Sequence, residues 1–305
     1  MPDAGSGGAP SGLIRVVQLN AGSLLEPGWP ERRREIVGWL DRLRPDLVCL
    51  QEIWESPAQP NTAGWIVENM PHVGWHWCFE GRPFGDALWP DPDLRFGSAV
   101  LSRWPIEEIA YHALPVAEGA DPIVAGVPWE LLHARTAGLD VFSCHLAAAP
   151  LDAPHRSLQV LAIDEVIRTA RGDLDARAGP EQRRGGMPPI LCGDFNAEPD
   201  SDEIRFLTGL TSIDGRHAFY QDAWRVAGDG PGHTQDWRTN PIASQLNVHR
   251  KRIDYIFVGD PFLREGAAGR IVSAGLAFHE ALTGTVASDH AGLVAEVVWP
   301  TRPEA

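Results

Sequence analysis

Pro189-Ile190-Leu191-Cys192-Gly193-Asp194-Phe195-Asn196 is a short apolar run that stops at a glycine, followed by a carboxylate and an amide two residues apart. An unbroken apolar run of this length predicts a strand buried on both faces, and a rigid strand end is where polar groups can be held in fixed geometry. Side chains alternate along an extended chain, so Asp194 and Asn196 are expected on one side. A carboxylate and an amide aimed at one point suit a divalent cation, a polarised water or a phosphate oxygen. The same residues also suit an Asx turn that merely closes the strand. Taken alone, the segment leaves both readings open.

Strand-like runs recur at residues 13–19, 46–50, 74–79, 97–102, 131–137, 139–146, 253–258, 270–276 and 293–299. Residues 30–43 carry Ile36, Val37, Leu40 and Leu43 at helical spacing, with Pro30 suited to the first turn and Pro45 just past the end. A second helix is predicted over 157–170 and a short one over 201–210. Residues 171–186 are charged, polar and Gly-containing, which predicts a long mobile loop. Strands outnumber helices, and helices separate only some of them. That pattern predicts an α/β (α+β) fold of two packed central sheets with helices outside, in preference to a doubly wound parallel sheet.

The chain has 305 residues, 44% of them hydrophobic, enough for one large layered domain. The expected organisation is a disordered leader over 1–11, rich in Gly, Pro, Ala and Ser without a signal-peptide pattern, a single domain over 12–300 and a tail over 301–305. No run approaches the ~20 apolar residues of a membrane span. Cys49, Cys78, Cys144 and Cys192 form no close pair; three sit in apolar strands and read as buried free thiols in a reducing compartment. A cytoplasmic location is expected. With 26 Lys and Arg against 41 Asp and Glu, the net charge is −15, which disfavours nonspecific duplex nucleic acid but not a small phosphate substrate held through a metal.

Five strand ends carry polar groups that a buried strand does not need: Asn20, Glu52, His145, Asp194 with Asn196, and Asp289 with His290. In chain order, Gln18-Leu19-Asn20, Leu50-Gln51-Glu52, Gly97-Ser98-Ala99-Val100-Leu101-Ser102, Cys144-His145-Leu146, Gly193-Asp194-Phe195-Asn196, Arg252-Ile253-Asp254-Tyr255-Ile256 and Ser288-Asp289-His290 resemble the motifs of the endonuclease/exonuclease/phosphatase superfamily. The resemblance spans about residues 13 to 298. It implies a four-layer α/β sandwich with one active site at the upper edge of its two sheets, and metal-dependent hydrolysis of a phosphoester.

Residue by residue, the resemblance implies a metal-binding pair in Asn20 and Glu52, with Asp289 beside the metal. It implies that His145 stabilises or protonates the reacting phosphate. Asp194 would orient or deprotonate the attacking water, and Asn196 would hold a phosphate oxygen. His290 would be the base or a phosphate-stabilising group, its ring fixed by Asp254. The competing readings are a surface carboxylate at Glu52 and a hydrogen-bonded core histidine at His145. Oxygen-rich ligands favour Mg²⁺ (or Mn²⁺); no compact His/Cys cluster suggests Zn²⁺.

The substrate is less legible. Of the 12 tryptophans, Trp54, Trp65, Trp75, Trp77, Trp89 and Trp104 cluster in one stretch, either as packing aromatics or as a wall over the site. His249-Arg250-Lys251-Arg252 is a compact basic run, a phosphate contact or a solvated loop. Arg95, Thr234 and Arg252 are the candidate substrate contacts. The favoured reading is a phosphoesterase acting on a small or lipid-like phosphodiester or phosphomonoester, with a nuclease as the alternative. A member that uses the same scaffold for binding or non-hydrolytic chemistry is the alternative from another class.

Overall fold

The run at 189–196 lies at the centre of one of two six-stranded sheets. The structure, a computed structural model, describes residues 12–71, 74–83, 91, 93–171, 187–243, 249–259 and 268–304. The expected leader, the expected loop beyond residue 171 and Trp89 lie outside the described residues. In chain order the elements are β1 (Leu13–Asn20), α1 (Trp29–Leu43), β2 (Leu47–Glu55), α2 (Thr62–Asn69), β3 (His76–Pro83), β4 (Arg95–Ser102), β5 (Ile106–Ala113), α3 (Pro122–Gly126), β6 (Glu130–Thr136) and β7 (Leu139–His145). After a 3₁₀ turn at Pro150–Asp152 come α4 (Ala153–Arg171), β8 (Ile190–Asp194), α5 (Asp202–Leu207), β9 (Tyr220–Asp222), α6 (Ala223–Ala227), β10 (Asp254–Gly259), β11 (Ile271–Ala277) and β12 (Gly292–Val298).

Sheet one has the order β11-β12-β1-β2-β4-β3 and sheet two the order β5-β6-β7-β8-β10-β9. Each holds a single parallel pair at its centre, β1 with β2 and β7 with β8, among antiparallel neighbours. A parallel pair needs a crossover, and α1 and α4 provide the two. α1 lays Ile36, Trp39 and Leu40 against Val17, Leu19, Val48 and Leu50 on the outside of sheet one. α4 lays Val160, Ile163 and Ile167 against Leu131, Phe142 and Leu191 on the outside of sheet two. Between the sheets lies a third apolar layer, including Ile14, Val16, Leu47, Cys49, Val141, Ile190, Cys192, Ile256 and Leu293. Helix, sheet, sheet and helix make the four layers.

Alternation along each strand decides what faces the gap between the sheets. In β1, Ile14 and Val16 face it; in β8, Ile190 and Cys192; in β10, Ile256 and Val258; in β7, Leu139 and Val141. Continuing each series by steps of two reaches Gln18 and Asn20, then Asp194, then Asp254, then Ser143 and His145. The apolar gap therefore ends, at one edge, in two layers of polar side chains. All four cysteines are buried free thiols.

Expected and observed elements agree best where apolar periodicity is strong. α1 begins beside Pro30 and ends at Arg44, whose φ of 49° is left-handed. The strand β5 shows no apolar period: it is an edge strand, largely exposed, with a register slip between Ile106 and Glu108 that breaks its alternation. The helix α2 is short and rich in β-branched and glycine residues, and depends on Asn61, whose side chain accepts from the Ala63 and Gly64 amides. β9, α3 and α6 have three to five residues each, too few to show a period. The end of the chain is tied down: Arg302 donates to Asp46 at 2.8 Å, and the Trp104 indole donates to the Glu304 carbonyl at 3.2 Å.

Gly193 is required by close packing. A Cβ there would strike the Cys144 carbonyl of β7 and lie 2.7 Å from its sulfur. Gly193→Ala should lower the unfolding free energy by about 2–3 kcal/mol. Gly275→Ala, whose nearest new neighbour is Val294 Cγ1 at 3.7 Å, should cost less than about 1 kcal/mol. Chemical denaturation of both variants measures the contrast.

Candidate active site

Sheet two supplies a row of three side chains. β7 pairs His145 with Asp194 of β8, and β10 pairs Asp254 with the same Asp194, so the three stand side by side at the strand ends. Asp194 is the hub. Its Oδ2 accepts from Asn20 Nδ2 at 3.1 Å and lies 3.7 Å from His145 Nε2 and 3.9 Å from His290 Nε2. Its Oδ1 accepts from the Asn196 amide at 2.9 Å. That bond is an Asx turn, and Asn196 has a left-handed φ of 48°. The pleat therefore does not bring Asp194 and Asn196 together, as extended-chain alternation predicts; the strand ends at Asp194 and the turn does so. The Asx-turn reading of the segment is what the backbone adopts, and the turn leaves Asp194 among the strand-end groups.

Sheet one supplies Glu52 through a bulge. In an unbroken pleat Glu52 would share the outer face with Val48 and Leu50, beneath the helices. The β2–β4 register slips between Leu50 and Ile53, and Glu52 has a left-handed φ of 57°. Beyond the slip it is Ile53 that packs on the helix side, and Glu52 turns to the site. There Glu52 Oε1 accepts from Asn20 Nδ2 at 3.0 Å and lies 4.0 Å from His145 Nε2. Asn20 Oδ1 accepts from the Gly22 amide at 3.0 Å, which fixes the amide orientation. Asn20 thus donates to two carboxylates, while its Oδ1 accepts one backbone amide and keeps a second lone pair.

The segment before β12 brings Asp289 and His290. Ser288 Oγ donates to the Asn20 carbonyl at 2.7 Å, fastening this segment to the end of β1. Arg32 of α1, buried, donates to the carbonyls of Ala21, Gly22, Ser23, Glu26, Pro27 and Ala287, so one guanidinium ties the β1–α1 loop to the same segment. His290 Nδ1 and Asp254 Oδ2 are 2.8 Å apart, which leaves Nε2 facing Asp194 and, at 3.7 Å, Asp289.

These neighbours set the charges. Burial opposes a charge on His290, but Asp254, Asp289 and Asp194 outweigh it and hold its pKa well above the ordinary value. Burial lowers His145, against the pull of Asp194, so that ring is neutral. Burial and then the charge of Asp289 push Glu52 from 4.5 up to about 8. Burial also raises Asp254, partly offset by His290.

Glu52 titrates so high because burial, and after it the negative charge of Asp289, is offset only in part by the Asn20 donor, which leaves an excess of negative charge in the cluster. A hard divalent cation relieves that excess, and oxygen donors suit it, so the residues fit a metal. Asp194, Asp254 and His290 are a group whose ligand atoms lie within 4.8 Å of one another. However, His290 Nδ1 and both Asp254 oxygens are already engaged within the chain, the second by Gln18 Nε2 at 3.0 Å. Glu52 and Asp289 are the carboxylates better placed to hold a cation.

The three expected substrate contacts each have partners within the protein. Arg252 is buried and grips Asp222 at 2.8 and 3.1 Å. Thr234 is buried, its hydroxyl accepting from the amides of Ile253 and Asp254 at 3.1 and 3.3 Å, so it supports Asp254 from behind. Arg95 is spent on Glu55 at 3.0 Å and on the Gly81 carbonyl. The basic run is neutralised by acidic partners, with His249 2.8 Å from Glu198 and Arg250 3.6 Å from Asp236. Of the clustered tryptophans, Trp54 and Trp104 are buried and Trp65 and Trp75 pack partly against the sheet-one core; Trp77 is partly exposed. Two aromatics that touch the site escaped sequence reasoning: Trp129 packs edge-on to His145 at 5.5 Å and Phe96 lies 6.0 Å from it. Trp129 sits one residue ahead of a strand, without a motif to mark it.

Residues 17–290 match the family model described as Endonuclease/Exonuclease/phosphatase family. Among solved structures, D. rerio TDP2 complexed with single strand DNA product is similar with a TM-score of 0.68 at 20% identity, over 93% of this chain and 98% of that one. An endonuclease/exonuclease/phosphatase from Beutenbergia cavernae DSM 12333 gives 0.67 at 18%, over 96% and 73%. The human Nocturnin catalytic domain with bound sulfate anion gives 0.63 at 21%, over 94% and 93%. At these identities the likeness is one of fold. No curated protein matches the sequence.

Folded Glu52 keeps its proton up to about pH 8, whereas an unfolded glutamate loses it near 4.5. The metal-free protein therefore loses stability as pH rises through that window, and a cation must displace the proton to bind. A divalent cation should raise Tm more at about pH 8.5 than at about pH 6, and Glu52→Gln should remove most of the difference; thermal shifts at the two pH values measure this.

Proposed function

The chain belongs to the endonuclease/exonuclease/phosphatase family, whose members are hydrolases acting on phosphoester bonds, and on that premise we propose that it hydrolyses a small or lipid-like phosphodiester or phosphomonoester by attack of an activated water. The observation that carries this reading is the convergence of Asn20, His145 and His290 on one oxygen of Asp194. A carboxylate so placed can hold a water and take its proton, while neighbouring donors face the phosphate.

Glu52 and Asp289 would hold Mg²⁺, or Mn²⁺, with Asn20 steadying Glu52. When bound, the cation offsets charge gathering on the phosphate oxygens. Asp194 orients the water and accepts its proton. Asp254 keeps His290 protonated and aimed, so Nε2 donates to a phosphate oxygen; between the two roles open for His290, its raised pKa favours the donor over the base. His145 stays neutral and donates from Nε2. Asn196 gives one amide proton to the Leu146 carbonyl at 2.9 Å and has the second for a phosphate oxygen.

The net charge of −15 and the acidic partners of the basic run support a small or lipid-like substrate over duplex nucleic acid. One observation favours the second reading, a nuclease: the similar D. rerio protein is complexed with a single-stranded DNA product. Among the described residues no helix is long and apolar enough to cross a membrane.

Asp194→Ala and His290→Ala should each lower Mg²⁺-dependent hydrolysis of bis-p-nitrophenyl phosphate by roughly 10²–10⁴-fold; full activity in both variants would contradict the mechanism. The wild-type protein, screened against nucleic acids, nucleotides, phosphoinositides and sphingomyelin, should turn over a non-polymeric substrate. Turnover of DNA alone would overturn the substrate preference.

A further inference from the structure

Two motif residues have no part in the chemistry above. Gln18 and Gln51 each stand next to the strand-end groups of sheet one, yet both are completely buried between the sheets. Gln18 Nε2 donates to Asp254 Oδ1 at 3.0 Å and to Gln51 Oε1 at 2.7 Å, and Gln51 Nε2 donates to Ser143 Oγ at 3.0 Å. The chain of bonds starts on β10, passes through β1 and β2, and ends on β7. It crosses from sheet two to sheet one and back, in the layer between the apolar gap and the site.

We propose that Gln18, backed by Gln51, is a positioning residue: it holds Asp254, and through Asp254 the ring of His290, across the junction of the two sheets. This rests on the catalytic reading given above. The direction of the bonds follows from chemistry alone. Asp254 as a carboxylate only accepts, so Gln18 must present its NH₂; Gln51 must then answer with its oxygen, which turns its own NH₂ to Ser143. One end of Asp254 is thus fixed by His290 and the other by Gln18, and the carboxylate cannot rotate.

Stability alone does not account for this arrangement. Presenting NH₂ to Asp254 leaves Gln18 Oε1 buried with no hydrogen-bond partner among the described residues. Unpaired buried polar atoms are costly, and an apolar side chain of the same size would avoid the cost. A polar group kept at such a cost points to a role outside the core.

The test combines Gln18→Met, Gln51→Met and Asp254→Ala. Gln18→Met should lower kcat by roughly 10- to 100-fold, the range seen when groups that orient a catalytic ligand are removed, with KM little changed. In the Asp254→Ala background the same substitution should change kcat by less than about twofold, because its route of action is gone. Gln51→Met, one link further away, should show a smaller loss with the same dependence on Asp254. Equal losses in both backgrounds would make Gln18 a general fastener and overturn the proposal. So would an unchanged kcat in Gln18→Met, given a wild-type protein that does hydrolyse phosphoesters.

A second readout needs no turnover. The low-field proton resonance of His290 Nδ1–H, identified by its loss in Asp254→Ala, should move in Gln18→Met. An unmoved resonance would sink the proposal even if no substrate were hydrolysed; absent hydrolysis by the wild-type protein would instead count against the catalytic reading.

Discussion

Glu52, Asp194, Asp254 and Asp289 share one buried corner of the molecule, and the cost of bringing them together governs everything around them. Two unit charges about 4 Å apart repel by about 4 kcal/mol at an effective dielectric near 20. The fold answers each carboxylate separately. Asp254 takes an imidazole on one oxygen and an amide on the other. Asp194 takes a backbone amide and Asn20. Glu52 receives only Asn20 among these donors and is the group pushed to about 8. The unmet part of the charge is what a divalent cation, and after it a phosphate oxygen, would complete.

Neither sheet contains the site. Sheet one brings Asn20 and Glu52, sheet two brings His145, Asp194 and Asp254, and the segment leading into β12 brings Asp289 and His290. Three devices hold the halves in register. The apolar gap sets the spacing, the Arg32 guanidinium gathers six carbonyls of the sheet-one rim, and the Gln18–Gln51 chain crosses between the sheets. Buried polar groups are tolerated where they are bonded, so the transition from apolar gap to the charged rim passes through a layer of amides and hydroxyls before reaching charges.

Much of this was legible in the sequence. Apolar runs marked ten of the strands and the two crossover helices, and the polar residues ending those runs marked the site. What remained hidden depends on single residues breaking a pattern. The bulge that turns Glu52 inward has no local sequence sign, and alternation alone would have placed Glu52 under the helices. The Asx turn at Asp194 was visible as an alternative to a site, whereas the turn and the candidate site share the same residues. Charge was the least specific guide: Arg252 and its neighbours read as a phosphate contact or a solvated loop, and their partners Asp222, Asp236 and Glu198 come from distant segments. Gln18 and Gln51 were visible as motif residues, but their bonds become apparent only when the sheets meet.

The central claim is that this corner directs a water molecule at phosphorus. Hydrolysis of an alkyl or aryl phosphodiester in ¹⁸O-labelled water, with the products analysed by mass spectrometry, addresses it most directly. The account predicts one labelled oxygen in the phosphate-bearing product of each turnover and none in the released alcohol. Label in the alcohol, which means attack at carbon, would contradict it.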